Sequence, residues 1–445
     1  MSNLNLSKIN TSAILSARKV FFIGIGGIGI SALAKMAKSY GMEIGGVNDE
    51  ESPKTLDPLI EFGAKIILKK DYKELPEADL YVYSDAWPFR GPEIIQDARN
   101  TGKLVLSYYE VLGIFSKNYE KIIAISGTHG KTTTTAMTGE ILIDGGLNPT
   151  IEVGSFVKSF NSNYRDGGKE FLVIEADEFN RHFLNFYPYI TVIMNMEVDH
   201  LETYTDINDI KKAFSQLINQ TNKYVIYNGD DQNTLDLINK YKGPVKFVNY
   251  KEFLSKLPVL SVPGEHNRFD AAAALAVANI LDISEEISRK SLKKFEGTWR
   301  RLEKKGQTKN GTIIYDDYAH HPTEVRASLQ ALRELYPEKK LTLVFQPHLY
   351  NRTKALFNDF IKCFSEADQI ILLPIYFARE KIDPTISSGK LAEEICKEGD
   401  KAIAFSDFKS AEIFLKSQIF GKDDIFVTMG AGEAYKVADN IFELY

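Results

Sequence analysis

The chain is poor in the features that mark cross-linked or membrane-bound proteins. Cys363 and Cys396 are its only cysteines in 445 residues, which excludes a disulfide framework and any cysteine-rich metal site. Long apolar runs are missing too: the longest, Val20 to Ala34, is interrupted by four glycines and falls short of the roughly 18 residues a membrane span needs. Positive charge is not in excess. The formal charge of -6 gives no reason to expect nucleic acid or an anionic membrane as a partner. The first residues, MSNLNLSKIN, lack the basic and apolar regions of a secretory leader, so a cytoplasmic location is expected. What remains, 44% hydrophobic and 26% charged residues, is ordinary globular composition, and the length suggests about three domains.

The most informative stretch is Lys121 to Asp144, KIIAISGTHGKTTTTAMTGEILID. Ile122 to Ile125 reads as a buried parallel strand and Thr132 to Ile143 as a helix closed by Gly145 and Gly146. Between them, Ser126, Gly127, Thr128, His129, Gly130, Lys131 and Thr132 form a loop whose backbone N–H groups would face an anion at the positive end of the helix. Lys131 supplies a point charge for a polyphosphate and Thr132 a hydroxyl for magnesium. The first glycine of the usual phosphate-loop pattern is displaced to Gly127, so the motif taken alone also fits a plain glycine-rich turn.

A second glycine pattern precedes it. Strand Lys19 to Ile25 runs into Gly24, Gly26, Gly27 and Gly29 and then a helix, with Asp49 about twenty residues further on. NAD fits this turn, and so does any nucleotide diphosphate. Further strands at 43–47, 65–68, 80–83 and 104–106 complete a doubly wound unit ending near Lys117.

In the central segment, strand Phe171 to Glu175 delivers Glu175, Asp177 and Glu178 at its carboxyl end, and Tyr189 to Asn195 delivers Glu197, Asp199 and His200. Ligands sit at that end of an open parallel sheet, so a magnesium set of Thr132, Glu175 and His200 is expected. His266 and Asn267 precede an alanine-rich helix, where Asn267 could cap the helix or read a base. Arg300 and Arg301 open the last segment, either solvated or placed to neutralise a phosphoryl group. From about Trp299, strands at 312–315, 341–345, 369–373 and 425–429 each hand a polar cluster to one sheet edge: Asp317, His320 and His321 after the first, His348 and Arg352 after the second. The adjacent histidines lack a third ligand at zinc spacing.

With these segments assembled, the chain resembles the Mur ligases, ATP-dependent amide-forming ligases of peptidoglycan precursor synthesis. The resemblance rests on Gly127 to Thr133, on GIGGIGISALA (Gly24 to Ala34), EADE (Glu175 to Glu178), Asp199-His200, His266-Asn267, DDYAHHPTE (Asp316 to Glu324) and FQPHLYNRT (Phe345 to Thr353). These motifs are most similar to those of members that join L-alanine to UDP-N-acetylmuramate; the alternative is the recycling type that attaches a murein tripeptide. The resemblance implies an α/β protein of three domains. These are a Rossmann-like UDP-sugar domain at 1–117, a central P-loop ATPase-like domain at 118–298 and a Rossmann-like carboxyl-terminal domain at 299–445.

It further implies ATP and Mg2+ as cofactors, UDP-N-acetylmuramate and L-alanine as substrates, and a monomer or homodimer that engages neither nucleic acid nor membrane. Gly26, Gly27, Gly29, Asp49 and Ser84 would then hold the UDP-sugar. Gly127 to Thr133, His266, Asn267, Arg301 and Asp317 would hold ATP, and His320, His348 and Arg352 would surround the amino acid. Lys131, Glu175, His200, His320 and Arg352 would carry the chemistry. Departures from the family pattern fall at Tyr108, Asn180, Asp270 and Leu349, where arginine, aspartate, asparagine and arginine respectively are more usual.

Overall fold

The computed structural model describes residues 11–442 apart from 201 and 379; the amino-terminal stretch on which the expectation of no leader rests lies outside the described residues. Among the described residues eighteen strands form three sheets, distributed over two compact units. The first unit runs to Glu197 and includes Asp206–Leu257 and Asp270–Leu292; the second holds Val198–Thr205, Pro258–Phe269 and the chain from Lys293 onward.

The first sheet of the first unit comprises β1 (Lys19–Ile23), β2 (Glu43–Asn48), β3 (Lys65–Leu68), β4 (Leu80–Tyr83) and β5 (Leu104–Ser107), all parallel in the order β3-β2-β1-β4-β5. Val20 to Ile23 are all buried, as an apolar run covered on both faces must be. Strand order reverses between β1 and β4, and a ligand crevice opens at the carboxyl ends of such a pair. The glycine turn follows β1 and Ser84 follows β4.

The second sheet comprises β6 (Lys121–Ser126), β7 (Thr150–Val157), β8 (Ser162–Arg165), β9 (Phe171–Glu175), β10 (Ile190–Ile193), β11 (Tyr224–Tyr227) and β12 (Lys246–Asn249), in the order β12-β11-β10-β6-β9-β7-β8. Every pair is parallel except β7 with β8. β6 therefore lies between β9 and β10, so the phosphate loop emerges flanked by the two acidic strand ends.

The second unit carries β13 (Glu303–Gln307), β14 (Ile313–Asp317), β15 (Lys340–Phe345), β16 (Gln369–Leu372), β17 (Ala402–Ala404) and β18 (Asp424–Met429), in the order β13-β14-β18-β15-β16-β17. Only β13 is antiparallel to its neighbour. Its strands alternate between two cores. Ile313, Tyr315, Leu343 and Phe345 pack on one side with Val325, Leu329 and Phe360, while Ile314, Val344 and Ile371 pack on the other with Leu415 and Val437. Both faces are covered, which fixes the strand ends as the place for a site. Among the described residues no helix is long and apolar enough to cross a membrane.

Candidate active site

The phosphate loop is shaped by two left-handed glycines. Gly127 has φ +129°, and an added Cβ would lie 2.9 Å from the Asn195 amide nitrogen; Gly130 has φ +84°, and a Cβ there would collide with the Asp270 carboxylate. Asn195, just past β10, clamps the loop: its Oδ1 accepts from the His129 amide at 2.9 Å, its Nδ2 donates to the His129 carbonyl at 3.2 Å, and its own carbonyl accepts from the Thr128 amide at 3.1 Å. The Glu197 amide donates to the Thr128 hydroxyl at 2.9 Å.

The helix Lys131–Asp144 begins directly after Gly130. The Lys131 ammonium donates to the Gly127 carbonyl at 2.7 Å and to Glu178 at 2.8 Å, and it lies 4.0 Å from Asp177. Burial alone would lower its pKa, but Glu178 and Asp177 outweigh that and hold the amine charged well above the ordinary lysine range. Thr132 donates its hydroxyl to Glu175 at 3.0 Å, and the second Glu175 oxygen accepts from the Gly154 amide at 2.8 Å. These two oxygen donors suit a hard divalent cation that keeps most of its waters. The Ser126 hydroxyl, buried where β6 meets the loop, has no hydrogen-bond partner among the described residues. A polar ligand at this loop would satisfy it.

The second anion-ready turn of this unit follows β1. The Gly26 amide donates to Asn48 Oδ1 at 3.0 Å, and an added Cβ at Gly26 would lie 2.5 Å from Asn48 Nδ2. Gly29 stands at the start of the helix Ile28–Ser39, where a Cβ would meet the Tyr108 ring at 2.9 Å. The Tyr108 hydroxyl in turn donates to buried Glu152 at 2.7 Å. Burial pushes the Glu152 carboxyl up to about 8, so an aromatic wedge with a largely neutral acid behind it stands beside this turn. Asp49 accepts from Arg90 at 3.1 Å, and the Ser84 amide donates to the Ile23 carbonyl at 3.0 Å beside the turn.

In the second unit a cluster gathers after β14 and β15. Arg352 is buried and clasps Asp199 with Nη2 at 2.8 and 3.1 Å and Nε at 3.0 Å, while its Nη1 lies 3.0 Å from His348 Nδ1. Burial would raise the Asp199 carboxyl, yet Arg352, with His200, His320 and His321 nearby, holds it well below the usual carboxylate range. The His348 ring stacks on Tyr376 at 5.6 Å and stands 5.7 Å from His320. His320 places Nδ1 2.9 Å from the Tyr318 carbonyl, and burial depresses it to about 4, so it is neutral at physiological pH. Leu349 is buried at φ +70°, and its carbonyl accepts from the Thr353 hydroxyl at 2.7 Å.

Asp317, at the end of β14, is buried, bonded by Ser328 and pushed up to about 6. Arg301 lies over the Tyr318 ring at 5.2 Å. His266 is also held near 4 by burial.

Two expectations need correction. Asn267 does not cap a helix: the helix Glu265–Ile280 starts before it, and its amide donates back to the Pro263 carbonyl at 2.6 Å. Arg300 is neither solvated nor available to a phosphate. It is buried with φ +56°, bonded to Asp316 at 2.8 Å and to the carbonyls of Gly430 and Gly432 at 2.5 and 3.2 Å. His200 groups with the second unit beside Asp199, whereas Lys131, Thr132 and Glu175 meet in the first. Sequence reasoning passed over Asn48, Asn195 and Glu152, whose roles come from contacts across strands and not from any local motif.

Comparison with known proteins covers most of the chain. Residues 19–120 match the family model described as Mur ligase family, catalytic domain, residues 125–256 the Mur ligase middle domain, and residues 300–432 the Mur ligase, glutamate ligase domain. A UDP-N-acetylmuramate–L-alanine ligase of Clostridium acetobutylicum is 39% identical over 95% of this chain and 97% of its own length. The protein of the same name from Clostridium perfringens is 36% identical over the same shares. Among solved structures, the UDP-N-acetylmuramate-alanine ligase of Thermotoga maritima superposes with TM-score 0.79 at 26% identity, over 95% of this chain and 98% of that one.

Proposed function

Because the chain belongs to the Mur ligase family, we propose that it is an ATP-dependent ligase that joins L-alanine to the lactyl carboxylate of UDP-N-acetylmuramate in peptidoglycan precursor synthesis. The observation that carries the reading is the meeting of Lys131, Thr132 and Glu175 at neighbouring strand ends behind a glycine-shaped loop.

The carboxylate attacks the γ-phosphate of ATP, forming an acyl phosphate and releasing ADP; the alanine amine then attacks the activated carbonyl and expels phosphate. Lys131 and the loop amides position the phosphates and balance their charge, so catalysis is chiefly orientation and electrostatics. Thr132 and Glu175 would hold magnesium, which would neutralise charge on the phosphate oxygens when bound. The turn at Gly26, Gly27 and Gly29, with Asp49 and Ser84, binds the UDP moiety on a helix N-terminus. In the second unit, His266, Asn267, Arg301 and Asp317 supply groups suited to a nucleotide.

His320 and His348 line the amino-acid side. With His320 Nδ1 directed at the Tyr318 carbonyl, the neutral ring presents Nε2 as a proton acceptor for the attacking amine. Arg352 recognises the alanine carboxylate by exchange with Asp199, a carboxylate it already grips.

The test is to incubate the full chain with ATP, magnesium and UDP-N-acetylmuramate and to follow ADP release with each amino acid and with murein tripeptide. L-Alanine-dependent release is expected. No release with L-alanine, glycine or L-serine would discard the assignment, and release with tripeptide alone would transfer it to the recycling type.

A further inference from the structure

One buried histidine has no place in the chemistry above. His182 follows a turn in which Asn180 and Arg181 both adopt left-handed backbone, at φ +48° and +59°. Two successive non-glycine residues in that region persist only where the surroundings enforce them. Arg181 is fixed by Asp209 at 2.7 Å, and the Phe183 amide donates to the Asp177 carbonyl at 2.9 Å. The strained turn brings the His182 ring to a specific place. Its Nε2 lies 2.7 Å from Asp85 Oδ2, and its face stacks on Tyr109 with centroids 3.9 Å apart and planes 11° from parallel.

Each neighbour leads to a different part of the reaction. Asp85 directly follows Ser84 at the end of β4, on the loop proposed to hold the UDP-sugar. Tyr109 donates its hydroxyl to Asp177 at 3.3 Å, and Asp177 lies 4.0 Å from the Lys131 ammonium. A continuous path of contacts thus runs from the substrate loop through His182 and Tyr109 to the phosphate loop. Holding the two sheets of this unit together does not require it. A separate cluster does that: Asn163 donates to the Ile28 carbonyl at 2.5 Å and to Ser31 at 2.9 Å, and accepts from Lys35 at 2.8 Å.

We propose that His182 is a positioning residue for the first half-reaction: clasped by Asp85 and stacked on Tyr109, it sets the register of the Ser84–Asp85 loop, and hence of the lactyl carboxylate, against Lys131. The proposal rests on the ligase reading and extends it to a residue outside the nucleotide motifs. An in-line attack on phosphorus tolerates little misplacement, so loss of the contact falls on turnover and not on ATP affinity.

The experiment is steady-state kinetics of the full chain and of His182→Ala, His182→Gln and Asp85→Asn. His182→Ala is expected to lower kcat about 10- to 100-fold while KM for ATP stays within about twofold of the parent. His182→Gln, whose amide nitrogen reaches about as far as the imidazole Nε2, should recover part of that loss. Asp85→Asn, altered on the more exposed side, should show the same split even if His182→Ala fails to fold. Parental kcat in His182→Ala or Asp85→Asn would overturn the proposal, as would a rise in KM for ATP that matches the fall in kcat. An inert parent would instead overturn the ligase reading, so the two failures are distinguishable.

Discussion

A fall from pH 7 to pH 5 should destabilise the second unit, and His266 should account for a defined share of the loss. The residue sits in the first turn of the helix Glu265–Ile280, where a Cβ on Gly264 would lie 2.5 Å from its Cε1. Burial lowers its pKa from 6.5 to about 4, with Glu324 and Glu334 pulling weakly the other way. A histidine whose folded pKa is depressed binds protons more readily when unfolded, so its contribution is complete above pH 6.5 and is lost as pH falls toward 4. With those two values, protonation of the unfolded chain costs the folded state about 2 kcal/mol more at pH 5 than at pH 7.

The chain has two tryptophans, Trp87 in the first unit and Trp299 in the second, so Trp87→Phe leaves a fluorescence reporter for the second unit alone. Urea unfolding of that protein at the two pH values, with and without His266→Gln, gives the difference directly. The variant should be less pH-sensitive by about 2 kcal/mol. His320, also depressed to about 4, contributes a similar slope to both proteins and cancels. Equal pH sensitivity with and without His266 would refute the reasoning.

Removing the carboxylate charge by Glu175→Gln or the hydroxyl donor by Thr132→Ala should raise the magnesium concentration needed for half-maximal turnover by about tenfold or more, read from a magnesium titration of ADP release. Gly130→Ala should cost about 1–2 kcal/mol for the left-handed backbone alone, plus the displacement of Asp270, and should abolish measurable ATP turnover while thermal melts still show a folded protein. Asn195→Ala removes both side-chain bonds to His129 and should raise KM for ATP about tenfold, with little change in KM for the UDP-sugar. Asp199→Asn leaves the Arg352 charge without its counter-ion and should destabilise by about 3 kcal/mol. If Arg352 accepts the alanine carboxylate, added L-alanine should raise the Tm of this variant more than that of the parent; an equal shift would refute the exchange.

The fold class was legible because its strongest strands are continuous apolar runs ending in glycine or polar clusters. Val20 to Ile23, Ile122 to Ile125 and Leu341 to Phe345 are buried on both faces and stand near the middle of their sheets. Six strands escaped notice: β8, β12, β13 and β17 at sheet margins, and β7 and β11 one place in from them. β8 (SNYR), β13 (EKKGQ) and β12 (KFVN) are half polar because one side or one edge meets solvent, and β7 with β8 carries a register shift that breaks any alternation. Edge strands are short and charged for the same reason that makes them hard to read: an apolar edge would recruit another chain.

The site divides along a similar line. Loop composition is local, so GTHGKTT displays its helix N-terminus, its lysine and its hydroxyl within seven residues. What an arginine or asparagine does there is decided by which strands the topology makes adjacent. Arg300 and Arg301 are consecutive, yet the left-handed backbone at Arg300 turns its guanidinium onto Asp316 and two carbonyls after β18, while Arg301 lies over Tyr318. Asn195 clamps the phosphate loop across 66 residues, and Asp199 meets Arg352 across 153. Asn195 stands just past the end of β10, the neighbour of β6 in the sheet. Parallel sheet order, more than sequence spacing, thus determines which polar groups become part of the site and which are consumed in holding it.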